Sequence, residues 1–115
     1  MSTASPADVF QAIATPIRRD IIRRLALSGD QSISLIAKNY EISRQGITRH
    51  IQVLVQSGVI TIQKTGREQI CHLNVVALKE VSEWLSFYEA LWDNKLNALD
   101  DYLAQQTETG LNERE

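Results

Sequence analysis

The run from Ile33 to Gly58, ISLIAKNYEISRQGITRHIQVLVQSG, leaves a short chain few ways to fold. Apolar residues at Ile33, Ile36, Ala37 and Tyr40 recur at the spacing of a one-sided helix. The chain then turns at Glu41-Ile42, and Ser43 offers an N-cap hydroxyl to a second helix. That helix has apolar residues at Ile47, Ile51, Val53, Leu54 and Val55, and Gly58 is the residue type that ends it. Over its first two turns the other side carries Arg44, Gln45, Thr48, Arg49 and His50. Donors for base edges and phosphates, at the N-terminal end of a short helix behind a turn, are the arrangement of a helix-turn-helix. An ordinary helical hairpin with a polar outer face has the same pattern, so the flanking chain has to decide.

After Gly58 the period changes from helical to alternating. Val59–Lys64 and Glu68–Leu73 read as two strands joined across Thr65-Gly66-Arg67, and a glycine in a short polar joint signals a hairpin. A hairpin directly after a recognition helix is a wing, with Lys64 and Arg67 at its tip. The order helix-turn-helix-hairpin is much rarer by chance than the helix pair, and it favours double-stranded DNA as the partner.

Ahead of the pair, Met1–Ser5 is small and polar and is expected to fray. Pro6-Ala7-Asp8 opens a short helix with Val9, Phe10, Ile13 and Ala14 on its apolar side. Thr15-Pro16 is a second start, a cap followed by proline at the first helical position, for a helix over Ile17–Leu27 that buries Ile17, Ile21, Ile22 and Leu25. Its arginines, Arg18, Arg19, Arg23 and Arg24, fit a solvated face paired with Asp20 or other carboxylates better than a phosphate site.

From Val76 to about Gln105 one helix runs without Gly or Pro. Leu78, Val81, Leu85, Tyr88, Trp92, Leu96, Leu99 and Leu103 step by three or four, and Trp84, Phe87 and Leu91 widen the stripe. At ~1.5 Å per residue such a helix spans roughly 45 Å, more than a small domain body can cover. Bare aromatic surface of that size marks an interface. A homodimer is expected, through Trp84, Leu85, Tyr88, Trp92, Leu96 and Leu99 of the last helix and Val9, Phe10 and Ile13 of the first. Glu80, Glu83, Glu89, Asp93, Asp100 and Asp101 make an acidic opposite face turned away from DNA.

The whole-chain charge of −2 hides an asymmetry. Residues 1–74 hold nine Lys/Arg against five Asp/Glu, and residues 75–115 hold three against nine, so the basic part is the one containing the helix pair and hairpin. A length of 115 residues allows one domain, read as 1–105, with 106–115 as a polar tail expected to be disordered. No apolar run approaches the roughly 18 to 20 residues of a membrane span, and no basic-then-apolar leader opens the chain, so no membrane partner is expected and the cytoplasm is the default compartment.

Taken together, VFQAIATPIRRDIIRRL, ISRQGITRHIQVLVQSGVI and TGREQICHLN resemble the ArsR/SmtB family of winged-helix repressors. Phe10, Ala12, Pro16, Arg18, Arg19, Ile22 and Leu25 match its opening pattern. Ser43, Thr48, His50, Leu54, Gly58 and Val59 match its recognition helix, and Gly66, Arg67, Leu73 and Asn74 its wing and exit. The resemblance covers about residues 8–104 and implies a mostly α fold of five helices, with a small β-hairpin between the fourth and fifth. Metal-sensing members carry a Cys-x-Cys-like pair on the first helix of the helix-turn-helix or His/Asp pairs on the last helix. Here ISLIAK has neither Cys nor His and the last helix has no His. The resemblance is therefore to the branch without metal-sensing cysteines, and no metal or other cofactor is expected. Gly46 stands where the family commonly has Ala, which would let backbone approach DNA closely.

The reading is a homodimeric transcriptional regulator, most simply a repressor on an inverted-repeat operator. Arg44, Gln45, Thr48 and Arg49 would meet bases, Ser43 would cap and touch phosphate with His50 near the backbone, and Lys64 and Arg67 would contact DNA from the wing. Relief would need a signal, for which an unidentified small-molecule effector is the candidate. A winged helix used as a protein-interaction module without an operator is the alternative, though such modules tend to lose the basic and amide donors kept here. Cys71 and His72 are strand neighbours pointing to opposite faces, a poor ligand pair, and Cys71 as the single cysteine reads as a half-buried filler. No Ser/His/Asp set, carboxylate pair or phosphate-cradling glycine loop suggests an enzyme.

Overall fold

Residues 8–114, with side chains from 8 to 107, are described by a computed structural model. In chain order the elements are α1 (Val9–Ala12), α2 (Pro16–Ser28), β1 (Gln31–Ser32), α3 (Ile33–Ala37) and α4 (Arg44–Gln56). There follow β2 (Ile60–Thr65), β3 (Glu68–Leu73), a 3-10 turn (Val75–Leu78) and α5 (Lys79–Arg114). The chain divides into two units between Val81 and Ser82.

Each of α1 to α4 begins at a side chain that satisfies otherwise free N–H groups. Asp8 accepts from Gln11 N at 2.7 Å and Gln11 Oε1 accepts from Asp8 N at 3.4 Å, a capping box. Thr15 Oγ1 accepts from Arg18 N, Ser32 Oγ from Leu35 N, and Ser43 Oγ from Gly46 N. Between these starts the apolar positions converge. Ile21 and Leu25 of α2, Ile33 and Ile36 of α3, and Ile47, Ile51 and Leu54 of α4 close around Val59, Ile60 and Cys71 of the sheet region. Each fully buried aliphatic side chain there contributes about 1.5–3 kcal/mol. Ile17 and Ile22 pack on this core from its margin. Val9, expected at a dimer interface, is 4% exposed inside the same core, because a helix as short as α1 must anchor through its two inward side chains, Val9 and Ala12. Phe10 and Ile13 remain partly exposed.

The sheet is antiparallel with strand order β1-β3-β2. Thr65 pairs with Glu68, so the hairpin closes on Gly66-Arg67 alone, one residue shorter than expected. Gly66 has φ 62°, the left-handed conformation that primed hairpin turns require. The strand expected from Val59 starts at Ile60, since Val59 N donates instead to Leu54 O at 2.9 Å. Asn74 then locks the base of the wing to the end of α4, its N donating to Val59 O at 2.8 Å and its Nδ2 to Gly58 O at 3.0 Å. β1 pairs Gln31 with Cys71 and Ser32 with Ile70, which makes β3 the central strand.

The last helix differs at both ends from the expected Val76–Gln105. Val75–Leu78 form the 3-10 turn, and α5 continues past Gln105 to Arg114. The polar residues after 105 are not helix stops, and a lone Gly110 is tolerated. The segment expected to be a disordered tail is thus helical as far as Arg114, while the fraying expected of Met1–Ser5 falls outside the described residues. In the second unit the apolar residues from Trp84 to Leu103 are exposed, with the Trp84 and Tyr88 rings 4.8 Å apart and Phe87 edge-on to Tyr88 at 5.1 Å.

Candidate nucleic-acid interface

Helical geometry divides α4 into three faces. Ile47, Ile51 and Leu54 point into the core. Arg44, Gln45, Thr48, Arg49 and Gln52 line a shallow open groove on the outside. His50 lies between the two and turns toward α2. Gln52 was not singled out from the sequence, yet its place one turn after Thr48 and Arg49 on the Gln45 side was legible from spacing. Among the described residues no intramolecular hydrogen bond or ion pair engages the side chains of that groove, or Lys64 and Arg67 at the exposed wing tip.

The cations of α2 are placed differently. Arg18 donates to Ala12 O and Gln11 O, and Arg19 donates to Ile13 O at 2.7 Å, so both close the carbonyl end of α1. Arg24 Nε donates to Asp20 Oδ2 at 3.0 Å and to Tyr40 Oη at 3.1 Å, while Tyr40 Oη donates to Asp20 Oδ2 at 2.6 Å. The Tyr40 and Arg24 bonds hold the Asp20 carboxyl below its ordinary pKa. Burial, then the bond to Asp20, pushes the Tyr40 phenol up to about 12. Tyr40 lies beyond the end of α3, not within it as expected, and through this triad it ties the turn before α4 to α2. Tyr40→Phe should therefore lower stability by about 1 kcal/mol, seen as an earlier urea midpoint with an unchanged slope. An unchanged midpoint would show the triad to be surface decoration.

His50 Nδ1 lies 3.2 Å from Arg18 Nη1. Its ring is thus held against α2, and this packing, not a place in the groove, is what the structure gives His50. Cys71 is fully buried in β3, and burial raises its thiol pKa to about 11. His72, on the other face of the strand, meets Asp30 Oδ2 through Nδ1 at 2.7 Å. Among the described residues no three His, Cys, Asp or Glu side chains come together in a way that could hold a metal ion.

A family model for winged helix-turn-helix DNA-binding matches residues 15–61, which runs from the cap of α2 to the start of β2. The transcriptional repressor SdpR of Bacillus subtilis (strain 168) is 33% identical over 89 residues, spanning 77% of this chain and 98% of SdpR. The crystal structure of an ArsR family transcriptional regulator superposes with a TM-score of 0.65 at 33% identity, covering 73% of this chain and 86% of that one. The chain belongs to the ArsR family. An ArsR-like transcriptional regulator from Rhodococcus sp. RHA1 gives a TM-score of 0.64 at 30% identity over 84% of this chain and 88% of its own.

As an ArsR-family protein the chain is a DNA-binding transcriptional regulator. No helix among the described residues is long and apolar enough to cross a membrane. Gly46 sits within α4 with no left-handed torsion, and a Cβ there would meet Ile42 Cδ1 and Ser43 Oγ at 3.4 Å, ordinary van der Waals contact. Gly46→Ala should then stabilise the fold by about 0.5–1 kcal/mol, measured as a higher melting temperature. A lower one would mean that the Ser43 cap cannot yield to the methyl group.

Proposed function

We propose that the chain is a homodimeric repressor that reads an inverted-repeat operator with Arg44, Gln45, Thr48, Arg49 and Gln52 of α4 while Lys64 and Arg67 of the wing meet the sugar-phosphate backbone. The observation that carries this is the division of cations. Arg18, Arg19 and Arg24 are committed inside the fold, whereas those of α4 and the wing have no partner there among the described residues. Unpaired guanidinium and amide groups on one groove face are the donors that base edges accept. Ser43, spent on its cap, adds a hydroxyl near phosphate. The second copy follows from α5, whose exposed aromatic stripe needs cover and whose pairing would present two recognition helices to two half-sites. Occupying a promoter in this way represses it by occlusion, and an effector that alters the dimer would relieve it.

Hydroxyl-radical footprinting on a duplex selected by the chain from a randomised pool tests the reading. Two protected stretches about one helical turn apart, related by symmetry, are expected. A single asymmetric footprint, or no enrichment of any sequence, would remove the dimeric-operator reading.

A further inference from the structure

Three helices meet at one guanidinium. Arg18, in the first turn of α2, donates Nε–H to Ala12 O at 2.7 Å and Nη2–H to Gln11 O at 3.0 Å, and its Nη1 lies 3.2 Å from His50 Nδ1 on α4. Arginine has donors only and stays protonated. The contact to His50 is therefore a hydrogen bond only while Nδ1 is bare and the ring proton sits on Nε2. Among the described residues it is the one side-chain hydrogen bond that ties α4 to another helix. Apart from the Asn74 hydrogen bonds at its C-terminal end, the core anchors of α4, Ile47, Ile51 and Leu54, are apolar and do not fix its rotation by direction.

We propose that Arg18 and His50 are positioning residues for DNA recognition: the guanidinium, fixed on the last carbonyls of α1, sets the rotation of α4 through the ring nitrogen, so that the base-reading face is held only while His50 is neutral. This rests on the assignment of α4 to the operator. Protonation puts an N–H where the acceptor was and a second cation against the first, and the contact is lost.

The surroundings of the ring favour its neutral form. Burial, and then the Arg18 charge, hold its pKa below the ordinary 6.5. Of the elements packed against α4, α1 and α3 bring no titratable side chain and β2 brings Lys64 at the wing tip. From α2 come Arg19, turned to Ile13 O, Asp20 and Arg24, engaged with Tyr40, and Arg23, which acts on Asp20. On α4 itself the neighbouring cations are Arg44 and Arg49, and no carboxylate offsets the imidazolium. Because the folded pKa is the lower one, the unfolded chain takes up the proton first. The stability supplied by the neutral ring is complete above the unfolded pKa of 6.5 and is lost as pH falls from there through the folded pKa.

The test measures affinity of the full chain by fluorescence anisotropy for two duplexes, one selected by the chain from a randomised pool at neutral pH and one scrambled. From about pH 7.5 to about pH 5 the ratio of the two affinities should fall about tenfold for the native chain. His50→Asn places a non-titrating amide oxygen near the position of Nδ1, and should keep the ratio close to the native neutral-pH value and flat across the range. Arg18→Met should give a low, flat ratio, with circular dichroism confirming that it folds. A flat native ratio, or one that falls as steeply in His50→Asn, overturns the proposal while leaving operator binding intact. Absence of any preference for the selected duplex at neutral pH overturns the operator assignment and the proposal with it.

Discussion

Trp92→Asp should convert the protein into a folded monomer at micromolar concentration, with operator affinity reduced about 30-fold to 1000-fold. Trp92 is 64% exposed on the single chain and lies in the second unit, so the core of α2, α3, α4 and the sheet does not depend on it. What the indole can do is fill an interface, and replacing a central aromatic anchor typically costs about 2–4 kcal/mol of association. A carboxylate there adds the cost of burying an unpaired charge if the dimer forms at all. If a dimer reads two half-sites as proposed, DNA affinity follows, because one half-site supplies too few contacts alone. Sedimentation velocity and anisotropy on the same samples settle the matter. A Trp92→Asp variant that stays dimeric, or a native chain that is monomeric at micromolar concentration, would exclude α5 as the dimer interface.

Gln45→Ala and Arg67→Ala should separate two kinds of DNA contact. Gln45 and Arg49 are four apart on the outer face of α4, beside Thr48 and Gln52 in one groove, which sets amides, a guanidinium and a hydroxyl where a major groove would lie. Removing Gln45 should cost about 1–3 kcal/mol on a selected duplex and much less on random DNA. Arg67 follows Gly66 in the two-residue turn of the wing and is exposed at the hairpin tip, so on the proposed reading it meets phosphate and not a base edge. Its loss should weaken both duplexes by similar factors and make the salt dependence shallower by about 0.9 per phosphate contact. Titrations at several salt concentrations distinguish the two. Equal loss on every sequence for Gln45→Ala, or a purely sequence-specific loss for Arg67→Ala, would reverse the assignment.

What the sequence revealed and what it hid follows the range of the interactions. The α2 start at Thr15-Pro16, the α4 cap at Ser43 and the glycine turn of the wing are set by neighbours within four residues, and each stands where local chemistry puts it. The two-residue strand β1 has no period to detect, so the third strand is found only through its pairing with β3. Tyr40 has the spacing of a helix residue, but its hydroxyl finds Asp20 across the fold and α3 ends earlier. Arg18 and Arg19 look like a solvated basic face until α1 brings its carbonyls to them. His50 sits among the groove-lining residues in sequence, and only the position of α2 shows that its ring turns toward Arg18. Val9 shares the apolar side of α1 with Phe10 and Ile13, and nothing short of the packed core says which of them is used up within the chain.

Cys71 gives the molecule a clock. It is the single thiol, it is fully buried in the central strand with β1 on one side and β2 on the other, and its pKa near 11 leaves almost no thiolate at neutral pH. A thiol reagent can reach it only when that sheet comes apart. The rate of labelling under native conditions therefore counts openings of the strand that joins the wing to the helical core, with no added probe and no competing site.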